Sequence, residues 1–366
     1  MSRFSSESYQ AKSVNDSVNI SATKERISFI EVSRGFAALA VVLAHTSLVM
    51  GNPRYFGEAM FANVLQVGHA GVDFFFVLSG YIITYMHFSD IDKKNKFLPY
   101  IVKRFIRIFP IYWVSFALFL IALLLFSSNS NLSVTELAYS FFLVPQAGTL
   151  VNPVAWTLSH ELLFYILFSF LILNKKVGGI IFIGWMICSI VNVFVSAGEN
   201  LFIKFLFSAH NFEFVLGVCV SWLVFQKKYR SIWIITGIIG LSLVLLGFWL
   251  DPVGRRPLPF YLVVLYGGGF ALMLYTLSCL HLQNKLPKFG DTFLLLGASS
   301  YSVYLIHFLV ILTLAKLFTT YSVNAYIPLN AIYFMMAFSA IIVGVLMYEY
   351  IEKPTLRICR NWNQLK

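Results

Sequence analysis

Ten stretches of the 366-residue chain are apolar over roughly the length that crosses a bilayer, and this repetition constrains the fold more than any other feature. Hydrophobic residues make up 59% of the chain and charged residues only 12%. Water-soluble globular domains are typically less hydrophobic and about twice as rich in charged residues. The sequence therefore predicts an all-α polytopic membrane protein with about ten transmembrane helices. The predicted spans lie near residues 27–50, 68–88, 111–126, 155–173, 177–196, 202–225, 231–250, 260–282, 292–318 and 326–351.

The charges of the loops predict the orientation of these spans. The net charge is +11, but the basic residues lie in short loops between apolar stretches, which indicates membrane topology rather than nucleic-acid binding. With ten spans both termini lie on one side, and the loop lysines and arginines collect on that side. The exceptions are Arg54, Lys204, Arg255 and Arg256. Because basic loops stay in the cytoplasm, we predict that both termini are cytoplasmic.

The same pattern divides the chain into three regions. Residues 1–26 are rich in Ser, Asn and Lys and have no apolar core of a cleavable signal peptide, which predicts a disordered cytoplasmic tail. Residues 27–352 form the transmembrane domain, and residues 353–366 form a cytoplasmic C-terminal tail. In the loop DPVGRRPLP, Arg255 and Arg256 could hold an anionic or sugar-bearing acceptor, or could belong to a solvated turn.

The first span carries two ionisable residues, Arg34 and His45, within its apolar length. They are about three helical turns apart, so they share one face and lie roughly 16 Å from each other along the helix. Ala38 lies between them and would leave a groove. A guanidinium suits a phosphate, and an imidazole suits general-base chemistry near neutral pH. The alternative is structural, with an arginine reaching the interface and a histidine satisfied inside the bundle.

Two further spans carry acidic residues. Asp73 lies near the start of the second span, GVDFFFVLSGYIIT, where it could stabilise the helix terminus or belong to a site. His160 and Glu161 are adjacent in the fourth span and point about 100° apart, so only one can face a given cavity. Glu161 is the better candidate because a buried carboxylate is costlier without a partner. A role for His160 stays open.

A basic cluster precedes the third span. Arg104 and Arg107 are three residues apart and share a helix face just before Pro110, where we expect that span to begin. Such a cluster usually anchors the membrane interface or binds anionic lipid headgroups. The same geometry would also hold the phosphates of a nucleotide-bearing donor. In the predicted orientation these arginines and Arg34 lie near the cytoplasmic face, whereas the acidic residues and His45 lie in the outer half.

Other polar residues have structural interpretations. Tyr301, Tyr304 and His307 recur along one side of the ninth span, a pattern more typical of core packing, although a role for His307 stays open. His210 and Glu213 form a potential i,i+3 pair in the sixth span.

The end of the last span carries acidic residues and a proline. Glu349 and Glu352 could pair with basic residues of neighbouring cytoplasmic loops, and we expect Pro354 to end the last helix. The four cysteines are isolated, so neither a disulfide framework nor a metal site is predicted.

Taken in order, these motifs resemble the acyltransferase-3 family of integral membrane O-acyltransferases. The resemblance rests on the spacing of Arg34 and His45, GVDFFFVLSGYIIT, the RxxR of Arg104 and Arg107, WTLSHELLFY, SYSVYLIH and the terminal IEKP. It covers residues 27–354 and matches the short form without an SGNH esterase-like domain. Where the family would have a small or apolar residue before Glu161, this chain has His160.

The resemblance implies transfer of an acyl group, most often acetyl, from cytoplasmic acyl-CoA to a carbohydrate hydroxyl. The implied acceptors are exopolysaccharide, O-antigen or glycolipid, and the implied location is the bacterial inner membrane. Neither a metal nor a nucleic-acid partner is expected. The sequence leaves open the acceptor, the acyl length and the oligomeric state. A transporter or flippase of a lipid-linked sugar is the alternative, and a non-catalytic membrane receptor is a third possibility.

The chemistry assigns roles to six residues. Arg34, Arg104 and Arg107 are predicted to bind the phosphates of CoA. His45 is predicted to be the general base, with Glu161 orienting its imidazole. Asp73 is the alternative partner of His45. Direct attack of the acceptor on the thioester is favoured over an acyl-enzyme.

Overall fold

The computed structural model describes residues 28–126, 133–146, 148–195, 200–226, 232–251 and 259–364, with side chains as far as 359. Ten helical segments in this part of the chain are long and apolar enough to cross a membrane, which confirms an all-α polytopic membrane protein. The predicted tail 1–26 and the loop with Arg255 and Arg256 lie outside the described residues.

Thirteen helices of eight residues or more make up the described fold. They are α1 Ser28–Met50, α2 Gly71–His87, α3 Phe97–Phe126, α4 Val134–Phe141, α5 Trp156–Leu173, α6 Lys175–Val195, α7 Asn211–Phe225, α8 Trp233–Leu250, α9 Phe260–Leu282, α10 Asp291–Ala298, α11 Ser300–Thr320, α12 Leu329–Met347 and α13 Lys353–Gln364.

Helix α2 lies at the centre of the bundle, and glycines let it approach α7 closely. A Cβ atom at Gly80 would lie 2.0 Å from the carbonyl oxygen of Phe214, and one at Gly217 would lie 1.9 Å from that of Val77. Both positions therefore require glycine for the backbones to touch, as small residues do in membrane helix packing. Helices α6 and α8 are the least buried of the spans, so their apolar faces are left for lipid.

Helix α3 is longer than the sequence predicts. The expected start near Pro110 is wrong, because the helix begins at Phe97 and continues through Pro110. Arg104 and Arg107 consequently lie about two and three turns inside the helix rather than in a loop before it. They are tolerated there because each has a polar partner inside the bundle, as described below.

The ninth and tenth predicted spans also differ from the structure. The ninth is divided at Ser299 into α10 and α11 rather than forming one helix. In the tenth, Pro354 does not end the helix. A π-helical turn, Tyr348–Glu352, leads directly into α13. Pro354 is the second residue of α13 and directly follows this turn.

The segment between α3 and α5 contributes to the position of α11. Ser133 and Glu136 form a capping box that starts α4, and the hydrogen bonds from Ser133 lower the pKa of the exposed Glu136 carboxyl. After α4, buried Asn152 donates through Nδ2 to Ser115 Oγ at 2.8 Å and to the carbonyl oxygen of Leu305 at 3.1 Å. This network fixes α11 against α3 two residues before His307.

Candidate active site

One cavity inside the bundle is lined by charged residues from three helices. Its volume is about 130 Å³. Ordinary ligand pockets have volumes of about 300–1,000 Å³, so this space holds a small group rather than a whole nucleotide. The charged residues lining it are Arg34 from α1, Arg104 and Arg107 from α3, and Glu161 from α5. We call this space the basic cavity.

Arg107 is held by an ion pair. Its Nη1 donates to Glu352 Oε1 at 3.1 Å, and its guanidinium lies 5.1 Å from the ring centroid of Tyr301. The Glu352 carboxylate is buried and also accepts from Ser302 Oγ at 2.7 Å. The prediction that Glu352 pairs with a basic residue is therefore confirmed, and the pair fixes Arg107 at the cavity wall.

Arg104 is held by a chain of polar contacts. Its Nη2 donates to His87 Nε2 at 3.0 Å, and His87 Nδ1 lies 2.8 Å from Asp90 Oδ2. An imidazole that accepts from a guanidinium at Nε2 is neutral and donates from Nδ1. The rings of Tyr100 and Tyr165 lie 5.7 Å and 5.5 Å from the Arg104 guanidinium carbon. These contacts orient Arg104, while its buried Nε has no hydrogen-bond partner within the described residues.

Arg34 differs from the other two arginines. Within the described part of the chain its guanidinium makes no hydrogen bond and no ion pair, although it lines the basic cavity. The charges of Arg107, Glu352 and Glu161 act on it from a distance. Its five N–H donors are therefore available to a ligand with anionic oxygens.

Glu161 belongs with the arginines rather than with His45. Its Oε1 accepts from Ser79 Oγ at 3.1 Å and from the hydroxyl of Tyr165. The sequence grouped Glu161 with His45 in the outer half, and the structure gives no hydrogen bond between them among the described residues. The difference arises because α3 starts earlier than predicted, which brings Arg104 and Arg107 to the depth of Glu161.

His45 instead meets His307. His45 Nδ1 lies 2.9 Å from His307 Nε2, and the two rings are stacked with centroids 5.1 Å apart. His307 Nδ1 lies 2.7 Å from the carbonyl oxygen of Tyr304, which can only accept. His307 Nδ1 therefore carries the proton, and His307 Nε2 is the acceptor.

The donor and acceptor roles of His307 determine the tautomer of His45. Both rings are neutral at rest, because an uncompensated charge is costly in a buried pair. His45 then donates from Nδ1 to His307, and its Nε2 is the nitrogen that carries the basic lone pair. An imidazole in this state can take a proton at Nε2 while His307 stabilises the resulting cation through Nδ1–H.

The histidine pair lies directly behind one wall of the basic cavity. Tyr304 lines the cavity, and its ring centroid lies 5.8 Å from that of His307. The Tyr304 hydroxyl is fixed by Thr157 Oγ1 at 2.9 Å and by the carbonyl oxygen of Val154 at 3.1 Å. Phe75 packs on the same ring at 5.8 Å. The arginines and the imidazoles therefore belong to neighbouring layers of one site.

The groove predicted around Ala38 is wrong. Ala38 is only 1% exposed and packs in an apolar cluster with Val42, Val303 and Met336. It does not line the basic cavity. The face of α1 between Arg34 and His45 is therefore filled by packing and offers no groove.

Asp73 lies in a separate buried cluster with His210 and Glu213. His210 Nδ1 lies 3.0 Å from Glu213 Oε2 and 3.8 Å from Asp73 Oδ1, which confirms the i,i+3 pair. One ligand atom from each residue falls within 4.8 Å of the others, a spacing that would suit a divalent cation. The absence of a metal stays a prediction.

His160 packs among aromatic side chains. Its ring lies against Phe205 at 4.6 Å, Trp156 at 5.8 Å and Phe76 at 6.0 Å between centroids. It does not line the basic cavity. This placement favours a structural role for the residue that departs from the family pattern.

Sequence reasoning missed three partners in this site. Tyr165 is four residues after Glu161, so helical i,i+4 spacing could have indicated it. Ser79 was interpreted only as a small packing residue, but it hydrogen-bonds Glu161. The contact of His307 with His45 joins residues 262 positions apart, and no local pattern could have revealed it.

Comparison with known proteins shows the family of the chain. An acyltransferase-domain family, acyltransferase-3, matches residues 27–349. The exopolysaccharide production protein ExoZ of Rhizobium meliloti is 28% identical over 80% of this chain and 90% of its own length. The O-acetyltransferase OatA of Staphylococcus aureus is 24% identical over 88% of this chain, and the putative O-acetyltransferase SACOL0978 of that species is 27% identical over 79%.

The chain spans about half the length of these two staphylococcal relatives. No solved structure matches it. Because the family match extends over most of the sequence, and its ten helices would cross a membrane, the chain belongs to the acyltransferase-3 family.

Proposed function

We propose that this protein is a membrane O-acyltransferase that moves an acyl group, by preference acetyl, from acyl-CoA to a hydroxyl of a carbohydrate. Exopolysaccharide, O-antigen and glycolipid are the acceptor classes that its resemblance to the family suggests. Its relatives include an exopolysaccharide production protein and O-acetyltransferases. The observation that carries the proposal is Arg34, a guanidinium without a protein partner in the described chain, facing the same cavity as Arg104 and Arg107.

The basic cavity suits the donor. CoA is strongly anionic, and guanidinium groups bind phosphate oxygens through paired hydrogen bonds. The cavity volume of about 130 Å³ is below that of ordinary ligand pockets, about 300–1,000 Å³, so the acyl thioester would enter it and the nucleotide would lie outside it. In the predicted topology the arginines lie near the cytoplasmic face, where acyl-CoA is made.

The acceptor hydroxyl reacts at His45. The hydroxyl oxygen attacks the thioester carbonyl carbon while His45 Nε2 takes its proton. The carbon–sulfur bond then breaks, the electron pair leaves on the CoA sulfur, and the imidazolium of His45 returns the proton to that thiolate. The products are the O-acylated acceptor and free CoA. His307 acts as a positioning residue, because it fixes the His45 tautomer and accepts from its Nδ1–H.

Glu161 has a different role from the one first assigned to it. Its carboxylate compensates part of the arginine charge in the basic cavity and orients Ser79 and Tyr165. Its pairing with Ser79 also places a carboxylate beside a hydroxyl, which would be the starting point for an acyl-enzyme. Transfer directly to the acceptor requires only His45, so we retain the direct mechanism.

Donor binding tests the proposal. Arg34→Ala should weaken acetyl-CoA binding by about 10- to 150-fold in a titration of purified protein, because a hydrogen bond to a charged group contributes about 1.5–3 kcal/mol. Arg34→Lys should restore only part of the affinity, since an ammonium cannot bind phosphate in a bidentate manner. The stability should not change, as Arg34 has no hydrogen-bond partner to lose in the described chain.

Two controls make the titration specific. Arg54→Ala removes an exposed arginine outside the basic cavity and should bind acetyl-CoA like the wild type. S-Acetylpantetheine has no phosphates, so the wild type and Arg34→Ala should bind it equally. Wild-type affinity for acetyl-CoA in both Arg34→Ala and Arg107→Ala would refute the assignment.

A further inference from the structure

A second cavity lies on the other side of the histidine pair. It has a volume of about 490 Å³ and opens between the end of α1, the loop after it, and α11. Its lining includes Asn52, Tyr55, Gln66 and Phe308, together with Leu48 and Leu312. We call this space the neutral groove. It shares no lining residue with the basic cavity.

The neutral groove approaches His45 through Phe308, although neither His45 nor His307 is itself a lining residue. The ring of Phe308 meets that of His45 edge-on, with centroids 5.2 Å apart. Leu48 follows His45 by three residues on α1 and therefore projects from nearly the same face. On α11, Tyr304 lines the basic cavity and Phe308 lines the neutral groove, with His307 between them in sequence. The imidazole pair is thus located between two spaces of different chemistry.

The two spaces differ most in charge. Three arginines line the basic cavity, whereas none of the described residues that line the neutral groove is charged. An anionic donor such as CoA therefore has its counter-charges only in the first space. The second space suits a neutral ligand, and its volume falls in the range of ordinary ligand pockets, about 300–1,000 Å³.

The groove offers the groups that recognise a sugar. The side-chain amide of Gln66 can donate and accept, as the hydroxyls of a saccharide require. Asn52 Oδ1 already accepts from the Arg54 N–H at 2.9 Å, so Asn52 offers chiefly its Nδ2–H donors. The Gln66 amide is half-buried and makes no side-chain hydrogen bond to another described residue. Tyr55 and Phe308 provide aromatic surfaces against which the apolar C–H faces of a pyranose ring can pack.

We propose that the neutral groove is the acceptor site and binds an uncharged saccharide unit whose hydroxyl is directed at His45. This inference rests on the proposed function, since it assigns the acceptor of that same transfer. It also separates the two substrates, with the donor on the arginine side of the histidine pair and the acceptor on the amide side. In the predicted topology the groove opens on the face opposite the termini, where surface glycans are found.

Acceptor kinetics test the assignment. The probe is the neutral surface polysaccharide of the producing cells, deacetylated with mild base, and the assay follows labelled acetyl transfer from acetyl-CoA by purified protein in proteoliposomes. Tyr55→Leu and Gln66→Leu should each raise the KM for the polysaccharide by about tenfold, the loss expected for one neutral contact. The KM for acetyl-CoA should stay unchanged.

The matched control is Tyr326→Leu. Tyr326 is an exposed tyrosine of the loop between α11 and α12, on the same predicted face, and does not line the groove. Its substitution should leave both KM values unchanged, and Tyr55→Phe should retain most of the acceptor affinity. Thermal unfolding of each variant in detergent establishes that it is folded.

The outcomes separate the two proposals. Wild-type transfer with unchanged polysaccharide KM in Tyr55→Leu and Gln66→Leu would overturn the acceptor site and leave the function standing. Equal use of octanol as an acceptor, with the same losses in the variants, would identify a groove for apolar ligands and overturn the saccharide assignment. Absence of any transfer by the folded wild type would overturn the function and, with it, the groove.

Discussion

Replacing His307 tests how the structure activates His45. His307→Leu removes the acceptor of the His45 Nδ1–H, which lies 2.9 Å away in a buried pair. Loss of a hydrogen-bond partner in such a site costs about 1–3 kcal/mol, and the bond strengthens when His45 becomes a cation. The lost stabilisation acts on the transition state, in which His45 is becoming a cation. The kcat should therefore fall by about 5- to 150-fold while the KM for acetyl-CoA stays unchanged.

His307→Gln provides the matched comparison. The glutamine carbonyl can accept from His45 Nδ1–H near the position of His307 Nε2, so this variant should recover most of the activity.

His281→Leu controls for the loss of a buried histidine, since His281 packs on Phe29 and lines neither cavity. Wild-type kcat in a folded His307→Leu protein, measured by labelled acetyl transfer, would refute the tautomer argument.

Two further predictions concern packing and metal. Gly217→Ala should lower thermal stability in detergent, by at least about 1–3 kcal/mol, because its Cβ would lie 1.9 Å from the carbonyl oxygen of Val77. Gly179→Ala, with no atom within 4 Å of the new Cβ, should be neutral or slightly stabilising, and equal melting of the two variants would contradict the packing. EDTA should leave acetyl transfer unchanged, and loss of activity that Zn²⁺ or Mn²⁺ restores would instead implicate Asp73, His210 and Glu213.

The fold was largely predictable because length and hydropathy are local properties. About ten spans follow from apolar stretches that a bilayer requires, and the structure has ten such helices among its described residues. The errors occur where charge interrupts an apolar pattern. The start of α3 was placed at Pro110 because Arg104 and Arg107 look like loop residues, whereas inside the bundle Glu352 and His87 compensate them.

The candidate site was predictable in part. The spacing of Arg104 and Arg107 indicated one helix face, and the structure brings both together with Arg34 in the basic cavity. The partner of His45 was not predictable, because His307 lies 262 positions away and the aromatic stripe around it is more typical of core packing. The depth of each side chain in the membrane also could not be derived accurately from the sequence, because it depends on where each helix begins.

The central claim is that His45, acting as a general base, catalyses direct transfer of the acyl group from CoA to the acceptor. Purified wild-type protein and His45→Ala are compared with radiolabelled acetyl-CoA, with and without the deacetylated polysaccharide. The wild type should label the polysaccharide, and His45→Ala should not, although it binds acetyl-CoA with wild-type affinity through Arg34, Arg104 and Arg107. In the absence of acceptor, direct transfer predicts no label on the protein. Label on the protein that survives denaturation would replace the direct mechanism with an acyl-enzyme, and wild-type labelling of polysaccharide by His45→Ala would contradict the account.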